Sequence, residues 1–405
     1  MQGERTPVLE MATGFTRAEK GLVGSAAALV FTRVFAVTLT FIGFTEFAGA
    51  LRGAADSGHQ DLLAGLAFGL YGLTMAVAQI ATGALSDRIG RKPVLLAGTA
   101  AFVLGALLCY WSQDIWTLMA GRLLQGLGGV SSVALAAVGE TVPAERRTTA
   151  MAFVGIPAGA GAFLGILLGP ALAGLVGFRG LFVLTAVLGV LASAYFLARP
   201  LPAPLPGLAT PRRSWSLPVL GLGAVGLTVN FALGAIFVRY QSDVQPHFGE
   251  LWLGATFAVA LAGLAAVTRA IDRRGATWLP IAIGLAALAV AAPLFRLGGG
   301  FALTFVAGCV LFLAHAVLSA VLPSQVSRLA GRSGGLGHGI QLVFAYLGSF
   351  LGPVVAGALA EQGQYGMTFE VLAVAAAAAA MLAYAGLRRL PSRDTPAPIQ
   401  EAAAP

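Results

Sequence analysis

Residues Gly83-Ala-Leu-Ser-Asp87-Arg88-Ile-Gly90-Arg91-Lys92-Pro93-Val-Leu-Leu96 form a short charged segment between two long apolar runs. Asp87 falls at the C-terminal end of the preceding helix, where the helix dipole disfavours an anion. Its carboxylate therefore needs compensation from Arg88, Arg91 or the N-terminus of another helix. Gly90 permits a positive-φ turn, and Pro93 suits the first turn of the next helix, where a missing N–H costs nothing. The segment reads as a tight hairpin whose charges make a tertiary contact.

The runs on either side set the solvent. Hydrophobic residues make up 58% of the 405-residue chain and charged residues 10%, with a mean hydropathy of +0.84. An ordinary soluble domain is about 25% charged. A bilayer core needs roughly 20 consecutive apolar residues per helix. Twelve such runs are read, near 24–51, 62–83, 94–111, 115–141, 149–176, 180–198, 218–239, 251–270, 278–296, 301–323, 338–361 and 367–388. The expectation is an all-α membrane protein with twelve transmembrane helices. The polar first twenty residues lead straight into a span and are not read as a signal peptide.

The net charge of +8 is distributed rather than clustered, which argues against nucleic acid as a partner. Arg and Lys gather in alternate loops, from Arg17 and Lys20 through Arg146 and Arg147, Arg212 and Arg213, to Arg388 and Arg389. The opposite loops hold Asp56, Asp61, Asp114, Asp243, Glu250, Glu361 and Glu370. By the positive-inside rule both termini are cytoplasmic and the number of spans is even.

A Pro-rich stretch from Arg199 to Arg213 cannot continue a helix and divides the chain. The expected organisation is a first six-helix bundle with its tail over 1–198, a cytoplasmic linker over 199–217, a second six-helix bundle over 218–389 and a disordered tail over 390–405. The halves read as repeats. Asp87-Arg88-Ile-Gly90 recurs 185 residues later as Asp272-Arg273-Arg-Gly275, and Gly165-x-x-x-Gly169-Pro170-x-x-x-Gly174 recurs 183 residues later as Gly348-x-x-x-Gly352-Pro353-x-x-x-Gly357. Two unrelated motifs with nearly one offset point to duplication, with any substrate path on the axis between the halves.

The 83–92 segment resembles the Gly-x-Leu-Ala-Asp-Arg-x-Gly-Arg-Lys signature of the major facilitator superfamily, with Ser86 in place of Ala. The preceding Gly69-Leu-Tyr71-Gly-Leu-Thr-Met-Ala-Val-Ala-Gln79-Ile is similar to the drug:proton antiporter branch and its YajR-like members. The resemblance implies the major facilitator fold, alternating access and a bacterial inner membrane. It also implies a conformational lock built from Gly83, Asp87, Arg88, Gly90, Arg91 and Lys92, with Asp272 and Arg273 as the repeat copy. In that lock Asp87 and Arg91 tie the second helix to the start of the eleventh, near Gly337 and His338, and Glu140 joins the charge cluster.

Other candidates lie inside the spans. Gly165, Gly169 and Gly174 mark a face for close helix approach and Pro170 a kink, resembling the antiporter motif of the fifth helix; plain close packing is the alternative. Arg122, in Arg122-Leu-Leu-Gln125-Gly126, resembles the Arg-x-x-Gln-Gly motif whose Arg is implicated in proton coupling, against a structural Arg held by carbonyls. Glu46 reaches a similar depth and is read as a partner for Arg122, or else as part of the loop with Asp56 and Asp61. Arg33 in the first span matches an Arg of YajR-like proteins. In the second half His315 is the ionisable candidate, either for proton handling or for packing. Asn230 is placed at the position that repeats Glu46, and Gln125, Asn230 and Gln341 are expected to line the substrate cavity.

These readings converge on a proton-coupled exporter of small hydrophobic or amphipathic compounds, working as a monomer in contact with lipid. A proton symporter importing a small metabolite, and a scaffold or sensor that moves nothing, are the alternatives. Cys109 and Cys309 lie in spans and suggest no metal site, and neither Lys20 nor Lys92 sits in a phosphate-binding loop, so no cofactor and no enzyme is expected.

Overall fold

The computed structural model describes residues 15–199, apart from Val130, and residues 217–238, 251–274, 279–296, 300–330 and 334–387. The interior of the linker and the 390–405 tail lie outside the described residues. So do the surroundings of Gly83 and the side chains of Asp87, Asp272, Arg273 and His338. Among the described residues the chain is helical, with a single isolated bridge between Arg52 and Asp114.

The first crossing is α1 (Arg17–Thr38), started by a capping box in which Thr16 and Glu19 exchange side-chain and backbone bonds. The expected continuous span over 24–51 is corrected here: α1 stops at Thr38, and a separate short helix, α2 (Phe44–Gly49), follows. The break has a local cause. The hydroxyls of Thr38 and Thr40 bond back to Phe35 and Val37 carbonyls, and the last N–H groups tighten to three-residue spacing. Gly43 then turns the chain at φ 84°, a conformation open to glycine.

The second crossing is α3 (Gln60–Ile89), and Gly90 at φ 94° reverses the chain directly into α4 (Arg91–Trp111). Asp114 caps α5 (Ile115–Leu127) through the backbone and hydroxyl of Thr117, and these bonds, the backbone one foremost, hold its carboxylate below the ordinary range. The fourth span is also broken, at Gly128 and Gly129, before α6 (Ser131–Thr141). Thr82 of α3 donates to the Gly129 carbonyl that the break releases. The fifth and sixth crossings form one long element, α7 (Ala144–Leu197), bent at Gly177 where φ is 74°.

The second half comprises α8 (Leu217–Val238), α9 (Leu251–Arg274), α10 (Leu279–Arg296), α11 (Gly300–Ala330), α12 (Gly334–Glu361) and α13 (Met367–Leu387). Nine helical stretches are long and apolar enough to cross a membrane, one of which Gly177 divides, and α9 and α10 contribute shorter apolar segments. Among the described residues the result is twelve crossings in two six-helix bundles, with the start of α1 and the end of α13 on one side.

The duplication shows in the packing. Gly165 and Gly169 bring the first arm of α7 against the carbonyls of Phe35 and Leu39 in α1, while Gly348 and Gly352 bring α12 against those of Leu227 and Phe231 in α8. Both contacts relate α1 to α8 by an offset of 192 residues. Asn230 therefore repeats Thr38, not Glu46. The 183-residue offset of the glycine motif does not carry over to α1 because the connection between the paired helices differs in length. Gly174 completes the motif in sequence only: nothing lies within 4 Å of where its Cβ would be.

A candidate translocation core

Arg122 on α5 is 1% exposed and lies within the first bundle. Its Nη1 donates to Gln125 Oε1 at 2.7 Å and its Nη2 reaches the Phe68 carbonyl at 3.5 Å. The guanidinium sits 5.0 Å from the centre of the Phe44 ring and 4.8 Å from that of Tyr71. Desolvated cation–π contacts of this kind are worth about 2 kcal/mol. Helices α3 and α5 come close enough for this because Gly126 faces the Tyr71 carbonyl and the Thr74 side chain.

Arg33 on α1 is 6% exposed and turns toward α4 and the second arm of α7. Its Nη2 donates to Thr99 Oγ1 at 3.0 Å and to Ser193 Oγ at 3.1 Å, and its guanidinium lies 4.1 Å from the Phe102 ring centre. Tyr71 of α3 is within electrostatic reach of both arginines and also of Tyr346 on α12. It thus connects the charged interior of the first bundle to the second.

Glu46 sits on α2, where its carboxylate accepts from the Thr45 hydroxyl at 3.2 Å. The contacts of the Arg122 guanidinium run to Gln125, Phe68, Phe44 and Tyr71, so the expected Arg122–Glu46 pair is not formed in this state. His315 on α11 bonds through Nδ1 to the Val229 carbonyl of α8 at 3.3 Å. Asn230 donates to the Gly226 carbonyl within α8, and Gln341 is buried on α12 opposite Gly226.

At the hairpin, Arg91 is buried, pairs with Glu140 at the end of α6 and donates to Ser86. Arg88 and Lys92 are exposed. Nothing is described of the Asp87 side chain or of a tie to Gly337 and His338.

The two bundles meet along α3 and α12. Gly65, Gly69 and Gly72 of α3 face the backbone of Tyr346, Phe350 and Pro353, and Gly357 faces the Asp61 carbonyl. Beyond them Glu361, the last residue of α12, accepts from the backbone N–H groups of Asp61 at 3.0 Å and Leu62 at 3.4 Å, in the first turn of α3. Thr45 donates to the Val238 carbonyl at 2.6 Å, and the Phe41 and Phe237 rings are 5.8 Å apart. The contacts of Glu361, Gly357 and Thr45 lie at the helix ends on the side opposite the start of α1 and the end of α13, so the structure is closed at that end.

Residues 22–240, more than half of the chain, match the Major Facilitator Superfamily. The chain belongs to that superfamily. It is 37% identical over 179 residues to the inner membrane transport protein YajR of Escherichia coli K12, a match covering 44% of this chain and 37% of that protein. It is 32% identical over 161 residues to the putative multidrug resistance protein MdtD of Citrobacter koseri, covering 39% and 33%. The matched part thus spans about a third of the length of these relatives. The solved structure of the human organic anion transporter MFSD10 (TETRAN) superposes with a TM-score of 0.69 over 91% of this chain at 18% identity, a likeness of fold.

Several residues of this major facilitator chain that organise the core escaped the sequence reading. Phe44 and Tyr71 around Arg122, and Thr99 and Ser193 around Arg33, come from other helices and carry no periodic signal. Glu361 was read only as a loop charge. Its position one residue past an apolar run, on a helix rich in small residues, is the signal that could have found it.

Proposed function

We propose that the chain is a secondary active transporter that exports small hydrophobic or amphipathic compounds against proton entry, alternating between states open to either side of the membrane. The observation that carries the reading is Arg122, a guanidinium at membrane depth stacked on Tyr71 beside the seam between the bundles. A scaffold gains nothing from the desolvation of such a charge, whereas a transport path uses it. The names of YajR, a transport protein, and MdtD, a putative multidrug resistance protein, support export. The asymmetry of Lys and Arg between loops supports cytoplasmic termini.

In this reading Glu46 carries the coupling proton. A carboxylate that alternates between a guanidinium neighbour and an apolar surround releases and takes up a proton as the state changes. In proteoliposomes tested with a panel of amphipathic dyes, Glu46→Gln keeps binding and exchange but loses uphill movement driven by a pH gradient. Full uphill movement in Glu46→Gln would move the coupling to another group, His315 first. Flux in the direction of proton flow would select symport.

A further inference from the structure

Two cations in the first bundle are buried without an anion. Arg122 and Arg33 are 1% and 6% exposed, and among the described residues the ion pairs are Arg91 with Glu140 and Arg146 with Glu19. The neighbours of both guanidiniums are neutral: an amide, a carbonyl, two hydroxyls and three aromatic rings. Three donors, Arg122 Nε and Arg33 Nε and Nη1, are buried and have no acceptor. The Thr99 and Ser193 hydroxyls that accept from Arg33 give their own protons to the Leu95 and Gly189 carbonyls. The site therefore carries excess positive charge and spare donors.

Neutral partners soften that cost but do not cancel it, because a charge held at low dielectric is stabilised fully only by an opposite charge. The excess lies close to where the bundles part. Arg122 stacks on Tyr71, and Tyr71 is within electrostatic reach of Arg33 on one side and of Tyr346 on α12 on the other. Tyr71 adjoins Gly72, which packs on the Tyr346 carbonyl in the seam between α3 and α12. The Glu46 carboxylate accepts from Thr45 on α2.

We propose that the compound entering this seam is an organic anion, an amphipath whose carboxylate or sulfonate supplies the negative charge that Arg122 and Arg33 lack. The proposal rests on the transport reading above and narrows it by sign. A permanent organic cation meets the same two guanidiniums in the same low dielectric and is repelled. The aromatic faces beside Arg122 take the apolar body of the ligand.

The test uses the full chain in lipid nanodiscs, without a gradient, and three ligands that share a ring: naphthalene-2-sulfonate, naphthalene-2-sulfonamide and 2-naphthyltrimethylammonium. Titration calorimetry should find the sulfonate bound at least about tenfold more tightly than the ammonium, with the sulfonamide between. Arg122→Gln and Arg33→Gln should each bring that ratio below about threefold, while the Lys variants keep its sign. Where a Gln variant does not fold, the order of affinities in the unmodified chain decides. Ammonium binding as tight as sulfonate binding, or no sulfonate binding, overturns the proposal. Sulfonate binding with no gradient-driven movement in proteoliposomes sinks the transport reading and leaves the charge assignment standing. Gradient-driven movement of the ammonium without sulfonate binding does the reverse.

Discussion

A methyl group added at Gly165 meets the Phe35 carbonyl and the Thr38 side chain, while one added at Gly174 meets nothing within 4 Å. Both glycines belong to one sequence motif, yet only the first is needed for α7 to approach α1. Overpacking a close contact costs about 1–3 kcal/mol, whereas Gly to Ala on an open helix surface gains up to about 1 kcal/mol. Gly165→Ala should therefore lower the unfolding temperature of the detergent-solubilised protein and Gly174→Ala leave it unchanged or higher; equal effects would show that the motif acts as a unit. The spacing of small residues was legible in the sequence because it is periodic. The surroundings of Arg33 and Arg122 were not, because Phe102, Phe44 and Tyr71 come from helices whose mutual rotation no hydropathy pattern fixes.

At the level of helices, hydropathy reports their number but not their breaks. Hydropathy runs unbroken through Leu39–Gly43 and through Gly128 and Gly129, since Gly, Thr and Leu are all compatible with lipid. At the first break the helix ends by hydroxyl back-bonding of Thr38 and Thr40 and a positive φ at Gly43, which a sliding average cannot register. The contact of Glu361 with the start of α3 belongs to the same scale. Its carboxylate meets the positive end of the α3 dipole from the other bundle, an interaction of about 0.3–1 kcal/mol when exposed and up to about 2 kcal/mol when partly buried. The bond exists only while the two helix ends are together. Glu361→Ala should then raise the open-to-closed ratio at this end by up to about thirtyfold. Double electron–electron resonance between spin labels near the ends of α3 and α12 measures it, and an unchanged distance distribution would remove Glu361 from the closing contact.

For the whole molecule, duplication was legible in two motifs, and the packing of α7 on α1 and of α12 on α8 repeats it in space. The offset of 192 between α1 and α8 could not be read from those motifs, because it depends on how long each connection is. An even number of crossings puts the start of α1 and the end of α13 on one side, which the proposed reading of the loop charges makes the cytoplasmic one. Reporter fusions at Pro211 and after Arg393 should both score cytoplasmic, and an external score at either would make the span count wrong. The structure is closed at the face away from the termini, so alternating access requires a second closing contact at the terminus-bearing face. The hairpin supplies the candidate, with Asp87 in the last turn of α3 and Arg91 anchored on Glu140. The two ends of α3 then act on one equilibrium with opposite sign. Asp87→Asn should shift the resonance distances toward the state seen here and slow transport, while leaving folded protein in the membrane. Glu361→Ala should shift them the other way, and the double variant should show the product of the two single-variant changes in ratio, to within about threefold, if the two contacts are energetically independent. A double variant that follows either single one would mean that the ends of α3 are not coupled through one rigid-body exchange.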